Sequence, residues 1–142
     1  MQRKATAVWQ GDLKSGTGAL TAESGIFEQT PYSFGTRFEN GKGTNPEELL
    51  AAAHAGCFAM ALSAELGKEG LVPNKLTAIA TITLEQDEQG GFAITKSHID
   101  LEAEIPGTDK AKFNTAVKAA ETGCPVSKLF KAEISVTAVL KS

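Results

Sequence analysis

Residues 44–70 read TNPEELLAAAHAGCFAMALSAELGKEG, and this stretch decides the fold. Asn45 is a capping residue, Pro46 suits the first helical position, and Glu48 stands three residues past the cap. Together these mark a helix start. Gly67 and Gly70 end the pattern, so the sequence predicts a helix from Pro46 to about Leu66. From Leu49 to Ala64 no side chain carries a formal charge. That run is 16 residues, short of the roughly 20 that a bilayer crossing needs, and it contains His54 and Ser63. A helix that is apolar all round belongs inside a protein. Nine of the 16 residues are Ala, Gly or Ser, which lets another helix approach the backbone closely. We expect a buried central helix.

The chain on either side reads mostly as strand. Lys4–Gln10 alternates loosely, a GDLKSG turn follows, and Thr17–Glu23 forms a second run. The SGTGAL stretch is not followed by a helix, so it reads as a hairpin turn and not as a phosphate loop. After a Ser24-Gly25 break comes IFEQTPYSFGTRF, a third strand-like run leading into an aromatic loop around Arg37. Beyond the central helix, Leu76, Ala78, Ala80, Ile82 and Leu84 alternate as one buried strand face. The next run places Phe92 and Ile94 on one parity but Ile99, Leu101, Ala103 and Ile105 on the other. A strand changes parity only through a bulge or bend, expected here between Thr95 and His98. Thr108 or Asp109 caps a second helix that turns Phe113, Val117 and Ala120 inward and stops at Gly123. Cys124-Pro125 opens a short third helix to about Phe130, and Ile134–Leu140 is a last strand. Strands gathered before and after helices make an α+β chain, not an alternating parallel one.

With 142 residues the chain suits a single domain, residues 1–142. A net charge of -3 lacks the basic stripe that nucleic acid or an anionic membrane would require. The opening MQRKATAVWQGDLK has no apolar core of a secretory signal, so a cytoplasmic protein is expected. Two cysteines are too few for a disulfide scaffold, and inert buried thiols are the plain reading until local context argues otherwise.

Context does argue. Cys124 precedes Pro125 at a helix start, where free N–H groups and the positive dipole end favour thiolate. Local physics therefore points to Cys124 as the nucleophile and leaves Cys57 in need of a cation from elsewhere. The chain has 12 Lys and only two Arg, and one of these, Arg37, sits between Phe34 and Phe38. Its planar fork can hold a carboxylate and face a thiolate together. Phe27, Tyr32, Phe34 and Phe38 place four of nine aromatics within 12 residues, as a core contact, a subunit contact or an apolar wall beside a reactive group. Glu47 precedes Cys57 by ten residues, about 15 Å along a helix, so the two cannot touch within one chain's helix. Antiparallel crossing of two such helices in a homodimer, near Ala51–Gly56, would bring Glu47 of one copy toward Cys57 of the other. His54 and Cys57 have a metal-compatible spacing, but with one further Cys and one further His a complete site is not expected. A hydrogen-bonded buried histidine is the usual outcome.

Two segments carry a family resemblance. GTNPEELLAAAHAGCFAMAL resembles the core motif of the OsmC/Ohr family of thiol-dependent peroxidases, and ETGCPVSKLFKAEI resembles that family's second cysteine element. The opening WQGDLKSGTG and the stretch PYSFGTRF are most similar to the osmotically inducible protein C branch. The resemblance runs nearly end to end. It implies antiparallel sheets packed around two central helices in an intertwined homodimer, with two sites at the interface. It implies Cys57 as the peroxidatic cysteine and Cys124 as the resolving one, reversing the local reading. It further implies that Arg37 stabilises thiolate and transition state, that Glu47 orients Arg37, and that Tyr32, Phe34 and Phe38 meet the substrate. The activity implied is reduction of organic hydroperoxides in oxidative and osmotic stress defence. No metal or resident cofactor is expected, and an external dithiol, of lipoyl type, would reset the site. The competing readings are a non-catalytic binder of apolar small molecules and a metal-binding protein using His54, Cys57 and Cys124.

Overall fold

A computed structural model describes residues 1–141, and the chain divides into two compact units, Met1–Leu49 and the part from Leu50 onward. In the first unit, β1 (Ala5–Gln10), β2 (Thr17–Ala22) and β3 (Thr30–Tyr32) form an antiparallel sheet in the order β1-β2-β3. Every residue of β1 is exposed, which explains its weak alternation: neither face has a core to select for. The aromatic segment read as loop contains a short helix, α1 (Phe34–Phe38). Ser33 caps it by accepting from the Thr36 N–H, while the Thr36 hydroxyl accepts from the Ser33 N–H. The S-x-x-T spacing was a capping signal in plain sight.

The helix α2 (Pro46–Lys68) begins where the capping residues place it, with the Glu48 N–H donating to Asn45 Oδ1 at 2.8 Å. Its 23 residues exceed the uncharged run by seven. By length and composition alone it would suffice to cross a membrane, contrary to the shortness argument from sequence. Within one chain the helix is not buried all round. His54, Phe58, Leu62 and Leu66 are buried, whereas Ala52, Ala53, Gly56 and Met60 are exposed, Met60 by 78%. One chain supplies covering layers for only one side of this helix.

The covering layers form the second unit's core. β4 (Lys75–Gln86), β5 (Phe92–Glu104) and β6 (Glu133–Lys141) make a sheet in the order β4-β5-β6. The helices α3 (Lys110–Gly123) and α4 (Pro125–Leu129) lie between β5 and β6 in sequence. Ile99, Leu101 and Ala103 from β5 meet Phe58, Leu62 and Leu66 from α2 and Phe113, Val117 and Ala120 from α3. Each large apolar side chain so buried contributes about 1.5–3 kcal/mol. Asp109 is the α3 cap, its side chain accepting from the Lys112 N–H. The parity change in β5 is a bulge: Thr83 faces Lys96 and Leu84 faces Ile94, leaving Thr95 as the extra residue. In one respect the sheet departs from the antiparallel expectation. β5 and β6 run parallel, because the α3–α4 crossover returns the chain to the end of the sheet from which β5 starts.

Candidate active site

The candidate residues fall into two groups, one in each unit. In the second unit, Cys57 of α2 and Cys124 at the start of α4 are both free thiols, with sulfurs 2.8 Å apart. A disulfide spans about 2.05 Å, so the pair is poised but unbonded. Cys124 is fully buried and Cys57 partly exposed. Burial pushes the Cys57 thiol up, and so does the neighbouring Cys124, while a hydrogen bond from the Val126 backbone N–H pulls it down. The free N–H at the head of α4 thus serves Cys57. The local argument from sequence directed this helix end to Cys124; the hydrogen bond goes to Cys57.

His54 lies one turn before Cys57 and is wholly buried. Its Nδ1 meets Ser97 Oγ at 2.5 Å and its Nε2 meets Ser127 Oγ at 2.8 Å. The Phe130 ring stands edge-on at 5.2 Å. Burial lowers its pKa, so the imidazole is neutral, with one nitrogen donating and the other accepting. With both nitrogens engaged by hydroxyls, neither faces a sulfur, and His54 is the hydrogen-bonded core histidine and not a base for Cys57. Among the described residues no group of three His, Cys, Asp or Glu side chains is arranged to hold a metal.

In the first unit, Arg37 and Glu47 form a forked ion pair. Arg37 Nη2 donates to Glu47 Oε1 at 2.8 Å, and Nε donates to the two carboxylate oxygens at 3.1 and 3.3 Å. This geometry fixes the guanidinium plane, as a lysine could not. The Arg37 Cζ sits 5.2 Å from the centre of the Phe38 ring, and Phe34 packs on Phe38 at 4.9 Å. Trp9, Leu13, Tyr32, Phe34, Phe38 and Arg37 line a cavity of about 250 Å³. Of the four clustered aromatics, Tyr32, Phe34 and Phe38 are there and Phe27 is not, while Trp9 and Leu13 join them unannounced. Both lie in the WQGDLKSG stretch, and Trp9 on β1 reaches the Tyr32 ring of β3 across Gly18 of β2, at 5.6 Å between centres. Gly18 makes room for this wall: a Cβ there would fall 2.4 Å from the Tyr32 ring and 2.8 Å from Trp9.

The chain that holds this ion pair, aromatic cavity and facing thiols is similar to known proteins. The OsmC-like protein family matches residues 39–139. Peroxiredoxin OsmC of Escherichia coli (strain K12) is 47% identical over 142 residues, covering 100% of this chain and 99% of the relative. The chain belongs to the OsmC-like family. The organic hydroperoxide resistance protein of Xanthomonas axonopodis pv. citri is 34% identical, over 96% of this chain and 89% of its own. Among solved structures, the organic hydroperoxide resistance protein OhrB of Bacillus subtilis superposes with a TM-score of 0.70 at 26% identity, covering 97% of this chain and 98% of that one. An OsmC-like protein from Mycoplasma pneumoniae shares the fold, with a TM-score of 0.77 at 16% identity over 100% of this chain and 99% of that one. Membership confirms the α+β reading and makes the chain a peroxidase-type enzyme.

Proposed function

We propose that this OsmC-like enzyme reduces organic hydroperoxides to alcohols through a two-cysteine cycle, as one domain spanning residues 1–142 and working as a homodimer. The observation that carries the reading is the approach of Cys57 and Cys124 sulfurs to 2.8 Å, although 67 positions separate them in sequence. The Cys57 thiolate attacks one peroxide oxygen, the O–O bond breaks, and the alkoxide takes a proton and leaves as alcohol. Cys57 is then a sulfenic acid. The Cys124 sulfur displaces its hydroxyl, releasing water and forming the Cys57–Cys124 disulfide. An external dithiol, of lipoyl type, restores both thiols by two exchange steps.

Within the second unit, burial works against a Cys57 thiolate, so a positive group must be brought to it. We assign that role to Arg37, oriented by Glu47, and assign the delivery to a second copy of the chain. The exposed Ala52, Ala53 and Gly56 permit close crossing of two α2 helices. Such a crossing brings Glu47 of one copy, with its bound Arg37, toward Cys57 of the other. The guanidinium then stabilises both thiolate and developing alkoxide. Tyr32, Phe34 and Phe38 receive the organic tail, each buried CH₂ adding about 0.8 kcal/mol. That preference separates alkyl and aryl hydroperoxides from hydrogen peroxide. We place the enzyme in the cytoplasm, where reducing conditions keep resting thiols free, and in oxidative and osmotic stress defence.

Steady-state turnover with cumene hydroperoxide and dihydrolipoamide tests the reading. Turnover faster with cumene hydroperoxide than with hydrogen peroxide, and lost with a monothiol-blocked protein, is expected. Ligand binding by an inert protein, with thiols unchanged, would leave a binder of apolar molecules instead.

A further inference from the structure

The buried hydrogen bonds of His54 have no part in the peroxide chemistry above, yet they lie beside it. His54 and Cys57 are three residues apart on α2, and Cys124 and Ser127 are three apart at the start of α4. The pairs cross-match: Cys57 faces Cys124 at 2.8 Å, and His54 Nε2 meets Ser127 Oγ at 2.8 Å. Besides the Val126 N–H that reaches Cys57, two side-chain rungs therefore join α2 to the head of α4, one of sulfur and one of imidazole and hydroxyl. The second is anchored to the sheet, because His54 Nδ1 is held by Ser97 of β5. His54 and Ser97 have no exposed surface, and Ser127 only 8%.

The helix α4 has five residues, and its capping residue Cys124 makes no side-chain cap hydrogen bond. A helix that short does not hold its own position. During the cycle the sulfur rung changes from a thiol contact to a sulfenic acid beside a thiol and then to a covalent bond. Of the two side-chain rungs, only the polar one contains no atom that the cycle alters. Buried hydrogen bonds of this kind fix geometry because breaking one leaves unsatisfied groups in a low-dielectric core.

Resting on the peroxidase reading, we propose that His54, bonded to Ser127 and braced by Ser97, is a positioning residue for the resolving step. It holds the Cys124 sulfur within reach of the Cys57 sulfenic acid and does not assist attack on peroxide. Closing the disulfide forms the S–S bond, breaks the Cys57 S–O bond, and releases water that takes up the Cys124 proton. The polar rung supplies no atom to that step.

The test uses full-length protein with cumene hydroperoxide in single turnover, following sulfenic acid by a trapping reagent and disulfide by mass. Ser127→Ala is expected to leave the rate of sulfenic acid formation unchanged. It should slow closure about threefold to tenfold, the scale of one net hydrogen bond, and divert more Cys57 to sulfinic acid at excess peroxide. Ser127→Thr, which keeps the hydroxyl, should restore closure. Closure in Ser127→Ala at the wild-type rate would overturn the proposal, as would an equal defect in Ser127→Thr. Wild-type protein that forms no sulfenic acid would overturn the peroxidase reading instead. The rung is then judged by the rate at which diamide closes the same disulfide in the three proteins, with the same expected order.

Discussion

The two units of this chain contrast in how they are held. The part from Leu50 onward buries Phe58, Leu62, Leu66, Ile99 and Leu101 to 1% exposure or less and carries both sulfurs. Met1–Leu49 carries the cation and the aromatic wall, yet its β1 is exposed throughout and Gly18 is its one buried residue. The lesson is a division of labour. Atoms that must meet to 2–3 Å for bond formation sit on a rigid core. On the proposed reading, the charge sits on α1 and the substrate wall on α1 and its flanking sheet, held by a forked ion pair and aromatic stacking with little core of their own.

The contrast is open to direct attack. The largest effect is expected at the sulfurs themselves. Cys57→Ser should abolish peroxide consumption, whereas Cys124→Ser should permit one turnover and stop at sulfenic acid. Full turnover by Cys57→Ser would return the nucleophile's role to Cys124. Next comes the charge: Arg37→Gln should lower kcat/KM about 10²–10³-fold, the loss typical of a removed transition-state donor. Burial already holds Cys57 above its ordinary value. Without the guanidinium the thiolate forms only in more alkaline solution, so the pH profile of sulfenic acid formation should move upward. A profile unmoved by Arg37→Gln would detach the first unit from the chemistry.

Stability should divide the same way. Leu62→Ala is expected to cost about 2–5 kcal/mol in denaturant unfolding, since Leu62 is fully enclosed. Leu13→Ala, at an exposed cavity-lining position, should change stability by less than about 0.5 kcal/mol while raising KM for cumene hydroperoxide severalfold. Equal stability losses at the two sites would erase the distinction between core and wall. The smallest effect concerns acid. His54 is held below its ordinary value of 6.5 by burial, so the unfolded chain takes up this proton more readily than the folded one. The stability it contributes is complete above pH 6.5 and declines as the pH falls below that value. Thermal unfolding of wild type should show this slope, and His54→Gln, which cannot titrate, should flatten it.

Legibility in the sequence followed burial. The strands β4 and β5 were readable because a one-sided core imposes period two, and the parity switch between Ile94 and Ile99 placed a bulge between Thr95 and His98, where the structure has it at the first of these residues, Thr95. The start of α2 was written in Asn45, Pro46 and Glu48. Its exposure was not, because a run of Ala and Gly reads alike whether a neighbour is present or absent. The helix α1 hid behind aromatic residues that outweighed the Ser33–Thr36 cap. The parallel placement of β6 depends on a helical crossover whose direction no local residue encodes. At the candidate site, the family resemblance named Cys57 with Cys124 and Arg37 with Glu47, and the structure brings each pair together. Ser97 and Ser127 were not legible, since a serine becomes a histidine's partner only through tertiary approach across 43 and 73 positions.

The central claim is that a peroxide drives Cys57 and Cys124 into one bond. One equivalent of cumene hydroperoxide added to fully reduced protein, followed by intact mass and peptide mapping, tests it directly. The account predicts a product lighter by two hydrogen atoms, with both thiols lost together and a single Cys57–Cys124 linked peptide pair. A product that gains oxygen at Cys57 while Cys124 stays free in the wild-type chain would contradict it.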